Sequence, residues 1–170
     1  LLVDPLFRML PWRKTHLWML DAYGDGEPAA DLIGGWLHDH TDLPREQWHP
    51  FRDEDPEAFD RELRENFAFR EAGQDRLDFV LLPVREDGAL PGADVDAPGA
   101  VNTSVGLALG FGALVRARMQ AVACFGSDHV APVLNRVGDG EALALVRPNP
   151  QEGVRLFYVD ASAFAEASST

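Results

Sequence analysis

The sequence predicts an α+β domain, with a mainly antiparallel sheet packed against three to four helices and a C-terminal three-stranded meander. Two observations predict this. Strand-like segments come first, separated by helices or a long loop, and three strands joined by short turns come last. Tight turns require antiparallel neighbours, because a parallel return needs a crossover of a dozen or more residues. The bulk numbers set the scale: 170 residues, 46% hydrophobic and 25% charged, fit one globular domain spanning residues 1–170.

The first expected strand is Thr15 to Ala22, where His16, Trp18 and Leu20 alternate with Leu17 and Met19. Gly24-Asp25-Gly26 ends it. A helix follows from Pro28, which suits a first helical position, with Ala29, Leu32, Ile33, Trp36 and Leu37 at one-face spacing. Gly34 and Gly35 weaken it by about 1 kcal/mol each relative to Ala, unless their missing side chains serve close packing. The clearest helix runs from Asp55 to Glu71. Asp55 is its N-cap, Pro56 its first residue, and Phe59, Leu63 and Phe67 its apolar stripe.

Leu77 to Val84 reads as a strand at a sheet edge, since Pro83 cannot donate to a ladder. A turn-rich connection spans Glu86 to Ala100. Ser104 to Gly112 alternates strictly and reads as a strand with one face almost bare of side chains. Ala113 to Phe125 reads as a helix ended by Gly126. The meander comprises Val130 to Val137, Ala142 to Val146 and Val154 to Val159.

The net charge is −13, and it is unevenly spread. Asp21 to Asn66 holds 14 acids against 4 arginines, whereas Ala97 to Thr170 holds 6 against 5. Such a field repels phosphates, so no nucleic-acid partner is expected through the front half. The 14 arginines against one lysine point to a GC-rich, bacterial coding bias. The single cysteine, Cys124, cannot form an internal disulfide. No cationic n-region followed by an apolar stretch opens the chain, and no run is apolar enough for a span. A cytoplasmic location without a membrane partner is the expectation.

Three constellations carry possible chemistry. His38, Asp39 and His40, with Asp42 and His49 nearby, suggest a Zn²⁺ site built on His38, His40 and His49. Against it, an i,i+2 pair diverges on a helix, and histidines also suit a helix C-terminus. Cys124, Asp128 and His129 suggest an activated thiol, yet no flanking signature accompanies them. Gly106, Gly110 and Gly112 precede an expected helix, as a phosphate loop would, but lack Gly-Lys-Ser/Thr. No Ser nucleophile elbow is present, and no catalytic residue is assigned.

All four tryptophans fall in the first 48 residues, beside the acidic segment. That predicts a non-enzymatic interaction module engaging a basic protein through Trp36, Trp48, Asp53, Glu54 and Glu57. No cofactor is expected on this reading. The alternative is a small zinc-binding protein or metal-dependent enzyme using His38, His40 and His49. The apolar edge at Leu77 to Val84 suggests a homodimer.

Overall fold

In the computed structural model, the described residues are 9–20, 29–51, 55–68, 70–71, 75–83, 95–103, 106–124 and 153–159. Strand β1 (Leu17–Leu20) leads towards helix α1 (Ala29–His40), and strand β2 (Trp48–Phe51) lies parallel to β1, with Trp18 opposite His49. Helix α2 (Pro56–Phe67) follows. Asp55 caps it as expected, accepting from the amides of Glu57 and Ala58 at 3.0 and 3.1 Å. The helix turns Phe59 fully inward, beside half-buried Leu63 and Phe67.

Strand β3 (Phe79–Pro83) begins a second parallel sheet. Strands β4 (Ala100–Thr103) and β5 (Gly106–Leu109) form an antiparallel hairpin. Short helix α3 (Phe111–Arg116) and strand β6 (Met119–Cys124) come next, and β7 (Val154–Val159) ends the described chain. The second sheet has the order β3-β6-β7, with every pair parallel. The mainly antiparallel α+β expectation is therefore corrected: among the described residues, only the β4–β5 hairpin is antiparallel.

The difference has a local cause. The run Met119 to Cys124, expected in a helix from Ala113 to Phe125, is the central strand β6. A short apolar run of four to eight residues fits a buried strand as well as a helix segment, and only its neighbours decide. Here neighbours lie on both sides, and Gln120, Ala121 and Val122 are completely buried. β7, expected in a meander, pairs parallel with β6. The other two meander segments lie outside the described residues. β2 carries no strand signal of its own in the sequence, and β4 falls at the end of the expected connection.

The main core joins Phe59 of α2 to Val80 and Leu82 of β3, Leu107 and Leu109 of β5, Leu114 of α3 and Val122 of β6. A smaller cluster gathers Trp12, Leu37 and Leu43, with Trp36 and Trp48 packed on it. Gly34 permits this second cluster: a Cβ there would stand 2.6 Å from the Trp48 indole nitrogen. Gly106 has φ 111°, a conformation that a side chain resists, in the β4–β5 hairpin. Among the described residues β3 borders only β6 in its sheet, as an edge strand would, and Phe79 and Leu81 are exposed. No helix among the described residues is long and apolar enough to cross a membrane.

Candidate functional site

The expected glycine site resolves into backbone packing. A Cβ on Gly110 or Gly112 would meet the carbonyl oxygen of Ala97 at 2.7 or 2.9 Å. The amides of Gly110, Phe111 and Gly112 donate to the carbonyls of Gly99, Val95 and Ala97. The N–H groups a phosphate loop would aim at an anion are thus spent inside the fold.

The histidines expected to share a metal take separate partners. His38 and His40 end α1, where Nδ1 of His38 donates to the Leu43 carbonyl at 3.3 Å and Nδ1 of His40 to the Trp36 carbonyl at 2.8 Å. Both satisfy carbonyls near a helix C-terminus, as the dipole favours. His49 sits on β2 and turns elsewhere. Among the described residues, no three histidine, cysteine, aspartate or glutamate side chains group as a metal site. The set His38, His40 and His49 is therefore not assembled.

The interaction set is described only in part. Trp36 stacks on His40 at 5.0 Å and, with Trp48, belongs to the small core cluster. Glu57 is exposed in the first turn of α2. Asp53 and Glu54 lie outside the described residues, as do Asp128 and His129, the expected helpers of Cys124.

What the structure does assemble is a carboxylate–imidazole–imidazole chain between the β1–β2 pair and α2. Glu62 of α2 hydrogen-bonds Nδ1 of His49, and Nε2 of His49 lies 3.0 Å from Nδ1 of His16. With both rings neutral the protons follow in order. Nδ1–H of His49 donates to the carboxylate, so its Nε2 accepts from Nδ1–H of His16, leaving Nε2 of His16 as the basic nitrogen. Trp18 stacks on His49 at 4.7 Å and on His16 at 5.6 Å. Its indole N–H is buried and has no acceptor among the described residues. Nothing in the sequence spacing could have found this chain, because 33 residues separate His16 from His49 and 13 separate His49 from Glu62.

Burial holds the His16 pKa below its usual 6.5, with His49 and Arg70 adding to the effect and Glu62 opposing it. The folded state then binds the His16 proton less readily than the unfolded state. The stability tied to a neutral His16 is present above the unfolded value and is lost as the pH falls through the folded one. Urea midpoints measured at about pH 7.5 and about pH 5.5 are expected to drop more in the parent than in His16→Gln, which has no group titrating in that range at this position. An equal drop in the two proteins would contradict this assignment.

The strand directions place a second feature. In open parallel sheets ligands bind beyond the carboxyl ends of the strands. In the chain, β1 leads into Asp21-Ala22-Tyr23-Gly24, β2 into Arg52-Asp53-Glu54, β3 into Val84-Arg85-Glu86-Asp87 and β6 into Phe125-Gly126-Ser127-Asp128-His129. These following residues lie outside the described ones. His16 immediately precedes β1, so it stands at the opposite end of that strand.

The chain matches no family model and no curated protein. Solved structures do resemble it. A crystal structure of devB protein superposes with a TM-score of 0.75 at 18% identity, over 97% of this chain and 79% of that one. A 6-phosphogluconolactonase from Thermotoga maritima superposes with a TM-score of 0.65 at 16% identity, over 88% of this chain and 75% of that one. At these identities the likeness is one of fold. It is a fold that carries an enzyme, which corrects the expectation of a non-enzymatic protein-binding module.

Proposed function

We propose that this chain is an enzyme that hydrolyses a small phosphorylated sugar lactone, bound beyond the carboxyl ends of its parallel strands. The observation that carries the reading is the parallel pairing of β1 with β2 and of β3, β6 and β7, in a fold shared with a 6-phosphogluconolactonase. Such an arrangement brings several strand ends to one edge, where loop residues supply the chemistry.

Two demands follow from the substrate. A phosphate calls for cations, and Arg52 and Arg85 follow closely on the ends of β2 and β3 in the chain. Lactone opening calls for a base. Water attacks the ring carbonyl carbon while the base takes its proton. The ring C–O bond then breaks, and the departing alkoxide takes a proton to give the hydroxy acid. His129, five residues beyond the end of β6, is the base on this reading.

The test is the rate of 6-phosphogluconolactone hydrolysis by the purified protein, corrected for spontaneous opening. Acceleration is expected, with KM raised about tenfold or more in Arg52→Ala and in Arg85→Ala, the scale of removing one charge-assisted hydrogen bond. kcat is expected to fall in His129→Gln and to hold in His16→Gln, a change at the opposite end of β1. Failure to accelerate the opening of any phosphorylated sugar lactone would overturn the proposal.

A further inference from the structure

We propose that a cleft at the amino-terminal end of the β3–β6–β7 sheet is a binding site for small amphipathic anions, a phosphate or carboxylate on an apolar body. The cleft encloses about 410 Å³, within the usual range for small-molecule sites. It lies between α2, the segment leading into β3, Pro98–Gly99 and α3. Leu77 stands two residues before β3, and Arg116 three residues before β6. The site is therefore at the opposite end of these strands from the edge assigned to the lactone, and it does not depend on that assignment.

Leu63, Phe67 and Leu77 supply an apolar wall, and Arg64, Arg76 and Arg116 supply cations. The two carboxylates that share the lining are committed to the protein. Asp60 accepts from the Ala100 amide at 2.8 Å, and Asp75 pairs with Arg116 at 3.3 Å. Three arginines against two aspartates still leave one positive charge in excess in this lining, in a chain whose net charge is −13. Two of the guanidinium groups are also held in place. Nε of Arg64 donates to the Asp60 carbonyl at 3.0 Å, so that among the described residues its two terminal nitrogens are left for an acceptor. Nη2 of Arg116 donates to the backbone and side chain of Asp75 at 3.2 and 3.3 Å. Guanidinium groups held beside an apolar wall suit a ligand with an anionic head and an apolar body, since planar donors recognise phosphate and carboxylate alike.

Phenyl phosphate is the probe, titrated calorimetrically into the full chain at low ionic strength. Saturable binding with a Kd at or below about 1 mM is expected. Phenol and inorganic phosphate, each half of the probe, are expected to bind at least about tenfold more weakly. Arg64→Ala, a change on an exposed helix surface, should weaken phenyl phosphate about tenfold or more. Ala113→Leu, which fills the cleft from α3, should do the same without removing charge. Urea midpoints of both variants report whether each has folded. Absence of saturable binding by the parent would overturn the proposal. So would unchanged affinity in both folded variants, because the anion would then sit elsewhere. The measurement needs no turnover, so its result stands whether or not the lactone is hydrolysed.

Discussion

Phe59→Ala is expected to remove about 3–5 kcal/mol of folding stability, the usual cost of truncating a buried aromatic ring. Phe59 is 1% exposed and lies where α2 meets both sheets and the hairpin. Its ring meets Phe51 of β2 edge-on, with centroids 4.9 Å apart. Val80 and Leu82 of β3 and Leu107 and Leu109 of β5 share the same cluster, so with Phe51 of β2 three separate strands surround the site of truncation. A cavity there closes poorly, because no single element can move in without pulling away from another. Marginal stability makes this loss large: a typical domain has about 5–15 kcal/mol in total. Urea unfolding followed by tryptophan fluorescence measures it. Leu32→Ala, at 58% exposure on α1, is the control and should stay within about 0.5 kcal/mol of the parent. A Phe59→Ala midpoint equal to that of the control would refute the placement of this ring at the centre of the core.

Gln120→Leu is expected to cost about 2–3 kcal/mol, although it exchanges a polar side chain for an apolar one on a buried strand. Gln120 is completely buried in β6. Its Nε2 donates to the Leu114 carbonyl at 2.6 Å, near the end of α3. Its Oε1 accepts from Nε and Nη2 of Arg155 on β7, at 2.8 and 2.5 Å. The amide therefore ties the α3 terminus to β7 across the central strand. Burial already lowers the Arg155 pKa, the mark of a cation short of solvent. Leucine would take away an acceptor of that half-buried charge and the donor to the carbonyl together. A double-mutant cycle separates these effects. Gln120→Leu should cost less in an Arg155→Met background than in the parent, because no buried cation then loses its acceptor. Equal costs in the two backgrounds would show that Gln120 and Arg155 do not act as a pair.

Local chemistry is legible where it is self-contained. The Asp55-Pro56 start of α2 needs only a cap acceptor and a residue without an N–H, and both act at the expected positions. The stripe of Phe59, Leu63 and Phe67 turns inward as its spacing requires. β1 and β3 sit inside the segments that read as strands. At Gly34 the sequence leaves close packing as the alternative to a weakened helix, and the Trp48 indole, distant in the chain, packs there, whereas nothing lies within 4 Å of a Cβ on Gly35.

The candidate sites are much less legible. His38, His40 and His49 lie close in sequence, yet β2 carries His49 to Glu62 and His16 while α1 leaves the other two at its end. Proximity along a chain says little once a helix and a strand diverge. Trp36 and Trp48 read as a surface patch because they adjoin acidic residues; in the fold both are half-buried, packed on the cluster of Trp12, Leu37 and Leu43, a contact no short window of sequence shows. The three arginines of the cleft stand on three different segments, so no short window of sequence contains them.

The amino-acid order by itself determined the helix cap of α2 and the inward stripe of that helix. Those depend on forces between residues a few positions apart. The direction in which strands pair, the conversion of Met119 to Cys124 from an apparent helix into the central strand, and the gathering of His16, His49 and Glu62 were decided only by tertiary structure. The reason is physical. Parallel pairing, burial on both faces of a strand, and hydrogen bonds across 13 or 33 residues are satisfied only when the whole chain has closed on itself.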